Sequence, residues 1–464
     1  MQKLFDDIKF LDKRCYEQYK LTEELLMEHA ANALHNFISK NFSENSSVLI
    51  VCGNGNNGAD GITLARLLQN DFDVKLYLDA PITSDISKLQ LERARAVNVA
   101  EVPKIEDADV IVDALFGSGL NRPLGKKHKE LISQINELSG KKIACDIPSG
   151  LMKDGTLSGS VFNADITITM GALKKSLYSD MAKDKTGDIS VANLGLSRSI
   201  YEDKTNWHLL DLNDLKLPHR TIKNSHKGTY GHLSLLCGEK EGASIIAGSA
   251  ALNFGVGLAT LITHENPTIP YELMKATTLP SNSSAICAGM GLGNSFDSND
   301  LQNMLVDSVV PIVIDADLFY NLIITKIMNK KNIVLTPHPK EFISLLKLLN
   351  LADIDIEQLQ QNRFYYAELF SSAYPDVVLL LKGANQIISY QNSFYINPHG
   401  TSKLSKGGSG DVLSGIIGAL LAQGYSLLEA TISASLAHSS AARSVTKNSY
   451  ALTPNDLIKE LSCL

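Results

Sequence analysis

Val48 to Leu68, "VLIVCGNGNNGADGITLARLL", begins as an apolar β-branched run, breaks into glycines, and resumes with apolar residues at helical spacing. The reading is strand, tight turn, helix, and a continuously apolar strand belongs in a parallel sheet covered on both faces. Gly53, Gly55 and Gly58 fit G-x-G-x-x-G, and Asp79 closes the next apolar run, "VKLYLD". That spacing is the fingerprint of a dinucleotide-binding turn with its ribose-binding acid. The side chains argue against it. A pyrophosphate needs bare backbone at the helix N-terminus. Here Asn56, Asn57 and Asp60 crowd the turn, and the Asp60 carboxylate would compete with phosphate for the helix dipole.

The same alternation extends outward. Upstream, "LTEELLMEHAANALHNFI" places Leu26, Ala30, Ala33, Leu34 and Phe37 on one helical face; downstream come "DVIVDAL", "KKIACDI" and "ADITITM", most of them separated by helix-compatible stretches. The fold class is α/β, with an N-terminal Rossmann-like doubly wound sheet over residues 1–205. Residues 206–230 are polar, carry Pro218 and show neither period, which predicts a linker or domain entry. A second series fills residues 231–464: "HLSLLC", "SIIAGSAALNFG", "GLATLIT", "VVPIVIDADLF", "NIVLTPHP", "VVLLLKG" and "IISYQNSFYIN", then a helix-rich end from Asp411 to about Val445. "YQNS" between two β-like runs predicts a hairpin and an antiparallel edge.

Composition sets outer bounds. A chain of 464 residues is too long for one ordinary core. A net charge of −7 lacks the basic footprint of a general nucleic-acid binder, yet a ring of backbone N–H groups can hold an anionic small molecule on an acidic protein. The cysteines lie far apart, several inside strand-like runs, as buried free thiols of a reducing compartment do. The charged N-terminus lacks a signal-peptide core, and no uncharged apolar run reaches the roughly 18 residues of a membrane span. A cytoplasmic protein without nucleic-acid or membrane partners is expected, as a homo-oligomer.

Polar loops follow the strands of both halves. "GNGNNGADG", "DALFGSGL" and "DIPSG" each trail a predicted strand, so they share one sheet edge, where ligands bind in open parallel sheets. Asn56, Asn57, Asp60, Asp113, Asp146 and Ser149 together make a cage of oxygens, suited to a hard ion. Turn-making explains any one of them singly; three strand-end loops together point to a pocket. In the second half, "SKGGSGDVLSGIIGALLAQG" leads Gly407, Gly408, Ser409 and Gly410 into a helix beginning near Asp411, an anion nest reinforced by a helix dipole. An acid there suits a base that deprotonates a hydroxyl attacking a bound phosphate. "GMGLGNS", "TPHPKEF" and "KGANQII" also stand at strand ends.

At these residues the N-terminal half resembles the N-terminal domain of the NAD(P)H-hydrate repair enzymes, the YjeF family. The resemblance implies an epimerase interconverting the R and S hydrates of NADH and NADPH. It implies substrate contacts from Asn56, Asn57, Gly58, Ala59 and Asp60, from Gly117, Ser118, Gly119, Leu120, Asn121, Arg122 and Pro123, and from Asp146. It further implies a potassium ion held by Asn57, Asp113 and Ser149. Ala59 stands where the family usually has glycine, tolerable if that backbone is helical. Asp146 is the expected acid-base group, provided that its pKa is raised.

"YGHLSLLCG", "GMGLG", "IDADLF", "TPHPKEF", "KGAN" and "GGSGDVLSG" resemble, in order, the family's ribokinase-like α/β NAD(P)H-hydrate dehydratase domain. That likeness implies hydrate contacts from Ala243, Gly291, His338 and Asp411. It also implies an adenine nucleotide held by Lys382, Gly383, Ala384, Asn385, Gln386 and Gly410, with Gln386 and Lys406 as departures from the family pattern. The implied activity is repair of hydrated NADH and NADPH: epimerisation, then dehydration of the S form with ADP or ATP and Mg2+, Asp411 acting as base. The rival is a vitamin-precursor kinase carrying a non-catalytic N-terminal binding domain.

Overall fold

Seven parallel strands form the sheet of the N-terminal unit, Gln2–Trp207. They are β1 (Ser47–Cys52), β2 (Asp73–Leu78), β3 (Ala100–Glu101), β4 (Val110–Ala114), β5 (Lys141–Cys145), β6 (Ile166–Met170) and β7 (Asp188–Ala192), in the spatial order β3-β2-β1-β4-β5-β6-β7. The computed structural model describes all 464 residues. Strand β1 shows why its sequence is apolar throughout. Val48, Ile50 and Cys52 enter one core, while Leu49 and Val51 enter a second core on the other face with Leu131, Ile132 and Ile135. Alternation sends successive residues to opposite faces, and here both faces are dry.

Helices α1 (Lys9–Glu17), α2 (Glu23–Asn41) and α3 (Asn56–Leu68) precede and follow β1; α4 (Asp85–Ala96) and α5 (Lys126–Glu137) come later. The Thr22 hydroxyl caps α2 by accepting the Leu25 N–H at 3.3 Å. Its buried face is Leu26, Met27, Ala30, Ala31, Leu34 and Ile38. Ala33 and Phe37, expected on that face, are only half-buried on its flank, because the stripe drifts toward Met27, Ala31 and Ile38. Ala59 lies within α3, fully buried, so its methyl meets no backbone conflict. Past β6 the two-residue strand Leu173–Lys174 pairs in parallel with Gln2–Phe5, Lys174 opposite Phe5.

In the second unit, His208–Leu464, the strands that carry the site run β10-β9-β8-β11-β12-β13-β14-β15-β16. These are β8 (His232–Leu236), β9 (Leu258–Ile262), β10 (Met274–Ala276), β11 (Ala285–Ala288), β12 (Ile312–Ile314), β13 (Ile333–Leu335), β14 (Val378–Leu381), β15 (Gln386–Tyr390) and β16 (Ser393–Asn397). All pair in parallel up to β14; β15 and β16 are antiparallel and joined by the anticipated hairpin. Its two-residue turn puts Gln391 and Asn392 at φ of +49° and +56°, the twist a tight hairpin needs. Helix α6 (Glu241–Asn253) follows β8, α7 (Pro339–Leu348) follows β13, and α8 (Ser409–Ala422) and α9 (Leu427–Ser444) precede a last helix, Pro454–Leu461. Every residue of α8 from Val412 to Ala422 is buried, as expected of a helix apolar all round. Gly415 lets it approach α6: a Cβ there would stand 2.1 Å from the Ala247 carbonyl oxygen. No helix of the protein is long and apolar enough to cross a membrane. Five cysteines are buried and free; Cys463 is exposed.

Candidate active sites

Strand order in the N-terminal sheet reverses between β1 and β4, the kind of switch point outside which open parallel sheets bind ligands. The glycines serve this junction. A Cβ on Gly53 would lie 2.2 Å from the Leu115 carbonyl oxygen, and one on Gly58 would lie 1.9 Å from that of Gly53. Asp79, the acid of the dinucleotide fingerprint, is already engaged by the protein: Lys127 Nζ sits at 2.9 Å and His128 Nε2 at 3.0 Å from its nearly buried carboxylate.

Asp113, near the end of β4, is wholly buried. Its Oδ1 accepts the Ser149 hydroxyl at 2.7 Å and the Leu115 N–H at 3.1 Å, and its Oδ2 accepts the Ser149 N–H at 2.7 Å. Burial pushes its pKa up to about 6 in spite of those bonds. The Asn57 carboxamide, in the first turn of α3, is buried at both polar atoms and has no hydrogen-bond partner. A buried amide without partners is costly, and a bound ligand would supply the missing partners. With the all-oxygen character of Asn57, Asp113 and Ser149, it fits a hard, weakly polarising cation such as potassium.

Asp146 lies in the left-handed region at φ +72°. Its Oδ2 accepts the Ser118 N–H at 2.9 Å. A Cβ on Gly117 would stand 3.1 Å from that same oxygen and 3.3 Å from the Asn57 side chain, so the three residues converge. Asp146 differs from expectation in one respect that matters for chemistry. Burial raises its pKa, but the Lys174 ammonium, with Nζ 2.5 Å from Oδ1 and itself buried, outweighs it together with N–H donors from Ser118 and Met170; the pKa is lowered. Asp146 is held as an anion and is not a group poised near neutrality. Lys174 also donates to the Thr169 hydroxyl at 2.9 Å and the Met170 carbonyl at 2.8 Å.

A cavity of about 90 Å³ opens beside this pair, floored by Met27, Met170 and Leu194 and walled by Asp12, Glu23 and Asp60. Asp60 has a pKa well above the usual carboxylate range, chiefly from burial and then from Asp146 and Asp12. The Asn56 amide is tied to Glu23 at 2.6 Å. In the following loop Asn121, Arg122 and Pro123 are exposed. Lys174, Asp12 and Glu23 carry no local sequence signal, because contacts made far along the chain bring them here.

In the second unit, order reverses between β8 and β11, and again the loops at the strand ends carry the polar groups. Gly408, at φ +87°, turns the chain into α8. Asp411, in the first turn, accepts no hydrogen bond from the protein; burial first, then the Asp315 charge, push its pKa up to about 6 against the pull of Lys382. Asp315, following β12, is buried. Its Oδ1 accepts Lys382 Nζ at 2.6 Å and the Ala316 N–H at 2.9 Å, and its Oδ2 accepts the Ser414 hydroxyl at 2.6 Å. A Cβ on Gly410 would meet Lys382 Nζ at 3.3 Å, so the ammonium faces the nest. His438, from α9, backs the nest by donating Nε2–H to the Ser409 carbonyl at 2.9 Å.

His338 caps α7. Its Nδ1 accepts the Lys340 and Glu341 N–H groups at 3.1 and 3.3 Å, and its Nε2 lies 3.1 Å from Glu341 Oε1. Burial raises the Glu341 pKa to about 7. Gly291, at φ +61°, bonds through its carbonyl to the Lys240 N–H at 3.0 Å, just ahead of Ala243 in α6. Gln386 is buried with its Oε1 accepting the Ser435 hydroxyl at 2.5 Å, so its side chain faces α9. No three His, Cys, Asp or Glu side chains form a metal-holding group. A magnesium ion at this site would be carried largely on nucleotide phosphates, with one or two carboxylates.

Two family models match the chain. Residues 23–176 match the family model of the YjeF-related protein N-terminus, and residues 233–462 match that of NAD(P)H-hydrate dehydratase. The bifunctional NAD(P)H-hydrate repair enzyme Nnr of Helicobacter pylori is 42% identical, over 100% of both chains. The enzyme of that name from Escherichia coli is 31% identical over 94% of this chain and 88% of its own. Among solved structures, the ADP/ATP-dependent NAD(P)H-hydrate dehydratase from Bacillus subtilis, crystallised with ATP and Mg2+, is 27% identical. It covers 53% of this chain and 92% of its own, with a TM-score of 0.45.

Proposed function

The chain belongs to the bifunctional NAD(P)H-hydrate repair enzymes, and on that premise we propose how its two sites share the work. Water adds to a reduced nicotinamide ring across an enamine double bond. The proton goes to the carbon one removed from nitrogen and the hydroxyl to the carbon beside nitrogen, in either configuration. The N-terminal unit interconverts the two epimers. The C-terminal unit dehydrates the S epimer at the expense of ADP or ATP.

In the C-terminal unit the ring hydroxyl attacks the terminal phosphorus of the nucleotide, and its proton passes to the Asp411 carboxylate. Backbone N–H groups of residues 407–410 and the Lys382 ammonium stabilise charge on the transferred phosphoryl group. Magnesium, when bound with the nucleotide, neutralises phosphate charge. Phosphate then leaves the carbon beside nitrogen, the neighbouring carbon gives up a proton, and the double bond returns. Backbone from Lys382 to Gln386 cradles the nucleotide, while Ala243, Gly291 and His338 bound the hydrate. Asp411 carries this reading: an unpaired carboxylate at an anion nest, beside a lysine already neutralised by Asp315.

In the N-terminal unit, Asn57, Asp113 and Ser149 would hold a potassium ion, which would supply the partner that the buried Asn57 amide lacks and offset the Asp113 charge. Asn56 to Asp60 and the loop from Gly117 contact the hydrate, and the Asp146 anion orients it. A simple kinase with an inert N-terminal domain has less support, since the oxygen cage and its orphaned Asn57 amide are both retained. The test is recovery of reduced-nicotinamide absorbance from mixed epimers with Mg2+ and either ADP or ATP. Complete recovery, abolished in Asp411→Asn, is expected. Recovery that stalls once the S form is consumed removes the epimerase; none with either nucleotide removes the repair reading.

A further inference from the structure

Asp12 lies on α1, ahead of the residues matched by either family model. It walls the 90 Å³ cavity with Glu23 and Asp60. That volume suits one ring and is far below what a whole dinucleotide needs, and the apolar floor of Met27, Met170 and Leu194 suits the ring's faces. The three acids differ in what the protein asks of them. Glu23 is engaged by the Asn56 amide at 2.6 Å. Asp60 accepts no hydrogen bond. Asp12 accepts the Tyr201 hydroxyl on Oδ1 at 2.7 Å, and Oδ2 has no partner in the protein. Two carboxyl groups from two helices, α1 and α3, therefore meet one ring-sized space with acceptor capacity unspent.

We propose that Asp12 is a catalytic residue of the epimerase, exchanging a proton with oxygen at the hydrated carbon in partnership with Asp60. This rests on the epimerase reading of the unit. Protonated Asp60 gives its proton to the ring hydroxyl, which leaves as water while the nitrogen lone pair forms a C=N bond. A water on the other face attacks the same carbon, the C=N pair returns to nitrogen, and the Asp12 carboxylate takes the proton released. One C–O bond breaks and one forms; nothing is oxidised. The reverse epimer uses the two acids in exchanged roles. Reaction from two faces requires two proton carriers, which a lone Asp146 anion fixed to Lys174 does not supply.

The surroundings support a carboxyl that gains and loses a proton. Burial raises the Asp12 pKa, Asp146 and Asp7 add to this, and the Tyr201 hydroxyl and Lys174 pull the other way. Asp60, Glu23 and Tyr16 complete the ionisable groups around the cavity, with Cys15 and Arg14 on the same helix as Asp12.

The experiment follows R-to-S conversion by chromatographic separation of the epimers, with the full-length chain and the uncatalysed rate subtracted. Dehydration of pure S epimer with ADP and Mg2+ serves as an internal control. Asp12→Asn is expected to lower kcat for epimerisation at least about 100-fold, a usual contribution of general acid-base catalysis, with dehydratase turnover unchanged. A kcat within about threefold of wild type, or a loss confined to KM, overturns the proposal. If the wild-type chain itself does not interconvert the epimers, the epimerase reading fails instead. Should Asp12→Asn unfold the unit, Tyr201→Phe decides. Loss of the donor to Oδ1 raises the Asp12 pKa, so the acid limb of the epimerase profile moves to higher pH; an unmoved limb overturns the proposal.

Discussion

Lys174→Met is the substitution whose consequences the N-terminal site fixes most tightly. The ammonium is 1% exposed and lies 2.5 Å from Asp146, itself 6% exposed. Methionine keeps much of the stem volume and removes the charge. Asp146 then retains the Ser118 and Met170 N–H donors but loses its counter-ion, leaving a buried, uncompensated carboxylate. Breaking one side of such a pair costs about 3–5 kcal/mol. In a unit of about 200 residues, at roughly 2–4 °C per kcal/mol, this lowers the melting temperature by about 6–20 °C. Trp207, the chain's single tryptophan and buried within the same unit, reports the transition by its fluorescence.

The pH dependence gives the sharper check. In wild type the Asp146 carboxyl is held below its ordinary value, so the pair's stabilisation is present above that ordinary value and is lost as pH falls through the folded pKa. Without Lys174 burial dominates, and the folded pKa rises above the unfolded one. Stability of the variant is then greatest where Asp146 is protonated and falls as pH rises through that higher value. The deficit relative to wild type must therefore be largest near neutrality and shrink on acidification. Lys174→Met with Asp146→Asn removes both charges and is expected to recover most of the loss, measured as a double-mutant coupling. A deficit under about 1 kcal/mol near neutrality, the range of an exposed pair, or one that does not vary with pH, refutes the account.

The dehydratase gives a second titration. Asp411 acts as base only when ionised, and burial with the Asp315 charge places it at about 6, so kcat/KM is expected to fall below about pH 6. Asp315→Asn removes a charge that raises this pKa and frees Lys382, which lowers it; the limb should move to lower pH in the residual activity. An unmoved limb, or one displaced upward, argues against Asp411 as base. Replacing potassium by a bulky organic cation is expected to slow epimerisation at least about tenfold, in line with losses on disturbing metal ligation. Asn57→Ala should be slow in both salts; a variant still responsive to potassium would separate that amide from the ion.

The doubly wound plan was legible because burial on both faces writes itself into local sequence. "SVLIVC" has no polar face, and in the fold Leu49 and Val51 serve one core while Val48, Ile50 and Cys52 serve the other. The polar strand-end loops were legible for a related reason: parallel strands deliver their C-terminal loops to one edge. The charge state of the site was not. Asp146 meets Lys174 through a two-residue strand paired to Gln2–Phe5, a contact with no periodic signature. Its pKa is consequently lowered where a closed pocket alone would raise it. Asp12 and Tyr201 meet across 189 positions, and Asp315 meets Lys382 across 67. Such pairings follow from topology, and topology from the sum of strand orders, not from any short stretch.

Both sites solve the same electrostatic problem in the same way. Each sheet edge holds one buried aspartate paired to a buried or half-buried lysine, Asp146 with Lys174 and Asp315 with Lys382. Each leaves another aspartate unpaired at the strand-end loops, Asp60 in one and Asp411 in the other, with its pKa raised by burial and by the neighbouring acid. The paired aspartate fixes the lysine and supplies local negative charge. That charge keeps the unpaired acid nearer the pH at which it both holds and releases a proton. Neutralising the paired aspartate should therefore displace the other's titration downward before it disturbs binding. The opposite order, with binding lost and titration unmoved, would mean that the second aspartates owe their pKa to burial alone.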